Sequence, residues 1–118
     1  MVKKGDRYLV IRRSPDDHED PGAWDLPGGV LEIGEQPFDG LFRETREEAG
    51  ISIRVVRILT VWAFEVRRWS TEIEVLCEYD SGDVRLSAEH TEYMWVTGDE
   101  LKALKPTSMH AQAILNHI

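Results

Sequence analysis

Apolar residues change their spacing along this chain, and each change predicts an element. Arg7-Tyr8-Leu9-Val10-Ile11 is a short, mostly apolar run that predicts a strand leading into Arg12-Arg13. Lys3-Lys4-Gly5-Asp6 reads as the turn before it, which leaves only Met1-Val2 for any earlier strand. Residues 14–22 (SPDDHEDPG) are polar and rich in Pro and Asp, hence a loop. Pro27-Gly28-Gly29 is a tight turn, because paired glycines let another group approach the backbone closely. A short extended run follows, ending at a second break, Gly34.

From Gln36 the period becomes helical. Phe38, Leu41, Phe42, Thr45 and Ala49 form one largely apolar face that should pack on a sheet. Pro37 suits the first turn and Gly50 the position just past the end. Residues 51–66 predict a strand, with Ile53, Val55 and Ile58 followed by Val61-Trp62-Ala63-Phe64. Residues 67–70 read as a hairpin connection. Across 71–79, Ile73, Val75, Cys77 and Tyr79 alternate with Glu72, Glu74, Leu76 and Glu78, a strand buried on one face. Ser81-Gly82-Asp83 is a turn. A short helix is expected over 99–104, broken by Pro106, and Thr107 or Ser108 caps a last helix to Ile118 with Met109, Ala113, Ile114 and Ile118 inward. Without repeats or a linker, residues 1–118 read as one domain.

The 118 residues suit a modest single core, and 42% hydrophobic with 31% charged is an ordinary globular balance. A formal net charge of −8 argues against a duplex-binding protein, which needs a basic face, but leaves a nucleotide substrate open. The single Cys77 excludes an internal disulfide and reads as a small buried hydrophobe. No apolar run is long enough to span a membrane, and the first residues lack a signal-peptide pattern, so cytoplasm is expected.

The polar face of the predicted helix carries the candidate chemistry. Glu44, Glu47 and Glu48 stand at i, i+3 and i+4, where like charges destabilise, and near a C-terminus that disfavours anions. A helix that breaks local rules in this way is a candidate functional site. Hard divalent cations such as Mg²⁺ take carboxylate and phosphate oxygens, so a metal would turn the repulsion into coordination. Arg43 is close enough in sequence to orient or partly neutralise these carboxylates. Trp62, Phe64 and Trp69 could stack on a nucleobase, although aromatic residues on strands more often pack across the sheet. His18 reads as a surface histidine.

Gly29, five residues, Glu35, seven residues, Arg43-Glu44, two residues, Glu47-Glu48, one residue, Gly50-Ile51: this spacing resembles the Nudix box. Thr45, where an aliphatic residue is usual, departs from the pattern, as does Gly40, where a better helix former is commoner. The chain is identified by this resemblance as a Nudix hydrolase of MutT type, over roughly residues 7–101. The resemblance implies an α/β fold, a mixed sheet sandwiched between helices. It implies cleavage of a nucleoside diphosphate linked to a further group, with Mg²⁺, or Mn²⁺ in its place, held by Glu44, Glu47, Glu48 and the Gly28 carbonyl. The general base would be Glu44 or Glu47, or Glu89 from the loop before the strand that ends near Val96. Arg43 would orient a catalytic glutamate, Glu35 would support the loop-helix junction, and Arg13 with Gly29 would contact substrate phosphate. A full strand normally precedes the turn at Gly5, so the first strand is expected to be short or missing, which would open a sheet edge. The short chain and its Trp24-Asp25-Leu26-Pro27-Gly28-Gly29 context point to (d)NTPs or oxidised nucleotides. The alternatives are ADP-ribose or a nucleotide sugar, or a domain that binds a nucleotide without cleaving it. Homodimerisation, common in the family, stays open.

Overall fold

The structure, a computed structural model, describes all residues from Met1 to Ile118. Its elements are β1 (Val2–Lys4), β2 (Arg7–Arg13), β3 (Trp24–Asp25), α1 (Pro37–Ala49), β4 (Ser52–Val66), β5 (Arg68–Ser81), β6 (His90–Thr97), α2 (Gly98–Ala103) and α3 (Met109–Ile114), with a closing 3₁₀ turn Leu115–His117. One six-stranded mixed sheet organises them. β6 runs antiparallel along the whole of β2, while β1 and β3 share the opposite side of β2 at its two ends. β1 then pairs parallel with β5, and β5 pairs antiparallel with β4.

The sheet buries both faces. On one side Ala49 of α1 meets Val2, Leu9, Ile11, Ile51, Ile53, Val75 and Cys77. On the other, Val10, Trp24, Leu26 and Val96 meet Leu101 of α2 and Ala111 and Ile114 of α3. Alternate residues of β2 therefore feed opposite cores, as the period-2 geometry of a strand requires. Burial pushes the Cys77 thiol up, as expected for a packed and unreactive cysteine.

Helix α1 begins and ends where its sequence dictates: Pro37 opens it, and Gly50 terminates it in the left-handed region at φ 72°, its N–H bonded to the Arg46 carbonyl. Ser108, not Thr107, caps α3 through a 3.0 Å bond from the Ala111 N–H to its Oγ. Thr97 and Glu100 form a capping box on α2.

Several expectations need correction. The first strand is short, as one alternative had it, at three residues, but it is not missing, and it lies inside the sheet between β2 and β5, not at an open edge. Residues 30–33 form no strand, because Val30, Leu31 and Ile33 face solvent in a loop. The hairpin connection narrows to Arg67 at φ 66°, and both Trp69 and Ser70 belong to β5. α3 stops at Ile114, with Ala111 in the core where Ala113 was expected. Phe38 is exposed, and Glu74, read as solvent-facing, is buried.

Candidate active site

Two segments meet at the site: the turn that follows β3, and one face of α1. The chain leaves β3 at Asp25, passes through buried Leu26 and Pro27, and reaches Gly28-Gly29 against the helix. The Gly28 N–H donates to Glu48 Oε2 at 3.1 Å. Gly29 lies so close to Glu44 that a Cβ there would fall 2.5 Å from the carboxylate carbon. The close approach of the Glu44 carboxylate thus leaves no room for a side chain at the second glycine of the pair.

Arg43 is the hub of the helix face. Its Nε and Nη2 donate to the two oxygens of Glu35 at 2.8 and 2.9 Å, a bidentate fork. Its Nη1 donates to Glu44 Oε1 at 2.8 Å and to Glu47 Oε2 at 3.1 Å, and Nη2 also reaches the Val30 carbonyl at 3.2 Å. One guanidinium therefore gathers three carboxylates and fixes the loop that precedes the helix. The hydrogen bonds from Arg43, with one from the Glu32 N–H, hold the Glu35 carboxyl down at about 2. Glu35 thus accepts from the Glu32 N–H of the preceding loop as well as from Arg43 of the helix.

Glu48 behaves differently. It is buried, and burial pushes its carboxyl up to about 8; the Gly28 N–H counteracts this, while Glu44, Asp25 and Glu89 add to it. The site thus holds more negative charge than Arg43 neutralises, an arrangement that a divalent cation would relieve. The donor set, carboxylate oxygens beside a backbone turn, fits a hard cation. The three glutamates do not converge as their spacing predicted, however, and no three acidic or imidazole side chains stand together as a ready cage. Arg43 draws Glu44 and Glu47 one way, and the Gly28 N–H holds Glu48 the other. Side-chain rotation of Glu44 and Glu47 is needed to form one.

Glu89 is exposed in the loop before β6, near enough for its charge to act on Glu48, and it makes no ion pair. Arg13, at the end of β2, is less free than a phosphate contact would be. Its Nη1 donates to Asp25 at 2.7 Å and its Nη2 to Asp17 at 3.1 Å, while Nε is buried without a partner. His18 is exposed, as read from the sequence.

Sequence reasoning missed Asp25. This buried carboxylate accepts from Arg13, from the Ser108 hydroxyl at 2.6 Å and from the Leu26 N–H at 2.8 Å. It therefore ties β2, the start of α3 and the Gly-Gly turn together. A lone acid inside the apolar run Ala23-Trp24-Asp25-Leu26 was the available signal. Also missed was a second polar cluster, in which His110 Nδ1 lies 2.5 Å from Glu72 Oε2 and Trp62 Nε1 donates to Glu74 at 3.4 Å. Trp62 and Phe64 pack with His110 there, so both aromatic residues serve packing.

Comparison with known proteins agrees with this geometry. A MutT-like protein of Streptomyces ambofaciens is 38% identical over 101 residues, covering 86% of this chain, and the chain spans 62% of that relative's length. The nucleoside triphosphatase NudI of Escherichia coli O81 (strain ED1a) is 30% identical over 114 residues, with 86% of this chain and 80% of the relative covered. The crystal structure of a MutT protein from Methanosarcina mazei Go1 superposes with a TM-score of 0.79 at 31% identity, covering 98% of this chain and 83% of that one. The NUDIX domain family matches residues 1–117, and the chain belongs to the Nudix family.

Proposed function

We propose that this protein is a Mg²⁺-dependent pyrophosphohydrolase of MutT type whose substrate is a nucleoside triphosphate, split to the monophosphate and pyrophosphate. The observation that carries the reading is the Arg43 hub, which holds Glu35, Glu44 and Glu47 beside a Gly-Gly turn that itself contacts Glu44 and Glu48. Similarity to a nucleoside triphosphatase over most of that relative's length supports the substrate class.

Glu44, Glu47 and Glu48 would hold the metal, with the Gly28 carbonyl as a further ligand. Bound there, it would neutralise the pyrophosphate oxygens and lower the pKa of a water molecule. The chain's own groups do the rest. Arg43 orients Glu44 and Glu47, and Glu35 fixes Arg43 in turn. Glu44 and Glu47 are already paired to Arg43 whereas Glu89 has no ion-pair partner, which favours Glu89 as acceptor of the proton from the attacking water. Gly29 contributes a backbone that a substrate oxygen can approach as closely as Glu44 does. Arg13 can reach a phosphate only by exchanging its more exposed contact, Asp17, while Asp25 keeps hold of the other nitrogen. Arg13→Ala should then raise KM more than it lowers kcat, and the reverse would move Arg13 into the chemistry.

A panel of canonical and 8-oxo (d)NTPs, ADP-ribose, nucleotide sugars and dinucleoside polyphosphates, assayed for product with Mg²⁺ and again with chelator, tests the reading. Monophosphate and pyrophosphate from triphosphates, lost on chelation, are expected. Preference for ADP-ribose or a nucleotide sugar would replace the substrate, and binding without turnover across the panel would replace the activity.

A further inference from the structure

Gly40 stands where a glycine weakens the element that holds it. It is the fourth residue of α1, it lies outside the left-handed region, and its N–H makes an ordinary helical bond of 3.0 Å to the Gln36 carbonyl. Nothing in the backbone calls for glycine, and alanine is the better helix former at such a position. The reason lies in what surrounds it. A Cβ on Gly40 would run into Cδ2 of Leu31 and come within 2.8 Å of Oε1 of Glu35. The bare Cα is therefore a notch in the surface of α1, filled by the loop that precedes the helix.

The notch belongs to the face that carries the site. Gly40 stands three residues before Arg43 and four before Glu44, so the three share one side of the helix. The Glu35 oxygen over Gly40 is the one that accepts from Arg43 Nη2 at 2.9 Å and from the Glu32 N–H at 3.1 Å. The other Glu35 oxygen accepts from Arg43 Nε at 2.8 Å. Leu31, with one methyl group against the notch, is less exposed than Val30 and Ile33 on either side of it. Loop and helix thus fit together at two glycines: Gly29 of the loop against Glu44, and Gly40 of the helix against Leu31 and Glu35.

We propose that Gly40 is a positioning residue for the reaction: its missing side chain lets Leu31 seat and Glu35 cross the helix to Arg43. This role rests on the reading of Glu44 and Glu47 as metal-holding carboxylates, so its test includes one readout that needs no turnover. The chain of contacts is short. Moving Glu35 Oε1 off Gly40 breaks the bidentate hold on Arg43, and Arg43 orients Glu44 and Glu47. Both groups in the way are ends of side chains, so an added methyl group displaces them and leaves the backbone in place. Leu31 and Gly40 are a matched pair, a long side chain against a missing one. The departure of Gly40 from the usual pattern is then tied to Leu31, and trimming Leu31 should make alanine acceptable.

Gly40→Ala should lower kcat for the best triphosphate at least about tenfold, with a smaller change in KM. Its Tm should stay at or above the wild-type value, because α1 gains helix propensity. Leu31→Ala added to Gly40→Ala should return kcat to within about threefold of wild type, since Glu35 can then shift into the vacated space without releasing Arg43. The readout independent of turnover is the Nε–H resonance of Arg43 in a ¹H–¹⁵N spectrum, assigned by its loss in Arg43→Lys. Bonded to Glu35, it should exchange slowly in the wild type, be weakened or absent in Gly40→Ala, and return in the double variant. Gly40→Ala with kcat within about threefold of wild type, or with the Arg43 signal unchanged, would overturn the proposal. So would a loss of kcat that tracks a lower Tm, or one that the second substitution leaves unrepaired. If the wild type turns over no triphosphate, the proposed function fails, and the Arg43 signal alone decides whether the notch sets the hub.

Discussion

Thr45 shows how a single side chain can be right in place and wrong in chemistry. It sits fully buried on the inner face of α1, and its hydroxyl has no hydrogen-bond partner. The Nudix pattern puts an aliphatic residue there, so Thr45→Val should stabilise the fold by about 1 kcal/mol, read as a higher Tm or denaturation midpoint. Equal or lower stability would mean that the hydroxyl is satisfied in solution. Gly29 gives the opposite case. A methyl group there collides with the Glu44 carboxylate, so Gly29→Ala should lower kcat at least about tenfold with little change in Tm. Glu74 supplies a pH signature. Burial, with Glu72 beside it, pushes its carboxyl up to about 7. The unfolded chain loses that proton near the ordinary value of about 4.3, so the folded state binds more protons between there and 7, and stability falls as pH rises through that window. Glu74→Gln should therefore add about 1–3 kcal/mol at pH 8 and close to nothing at pH 4, measured by urea unfolding at the two values. An equal effect at both would remove proton linkage as the cause.

Among elements, α1 was the most legible because its cues agree: helical spacing, Pro37 at the start, Gly50 at the end and a charged face whose spacing matches the Nudix box. Gly50→Ala tests that agreement. A left-handed alanine whose Cβ would lie 3.1 Å from that of Arg85 should cost on the order of 1–2 kcal/mol in a chemical denaturation curve. β1 was hard to read for a physical reason. Its three residues gain little from propensity and are held by β2 on one side and β5 on the other, contacts remote in sequence. The hairpin arm failed for a related reason. Alternation across 71–79 assigned Glu74 to solvent, but that face turns toward α3, and the face bearing Ile73 runs past the end of α1. Periodicity locates the two faces of a strand; only the packing of other elements decides which is covered.

At the scale of the molecule, the sheet carries the candidate site on the connection between β3 and α1. The glutamate spacing, Arg43 and the Gly-Gly turn were all legible in the sequence. What it did not contain was their linkage, since Arg43 binds acids one, four and eight residues away and Asp25 joins β2 to α3. Such networks depend on side-chain directions that spacing alone does not give. The most direct test of the account is the steady-state rate of nucleoside monophosphate release from the best triphosphate, with saturating Mg²⁺, for wild type against Glu47→Gln. Loss of a metal-holding carboxylate should lower kcat by about 100-fold or more with the fold intact. A variant that stays within about threefold of wild type would contradict the assignment of the α1 glutamates as the catalytic metal site.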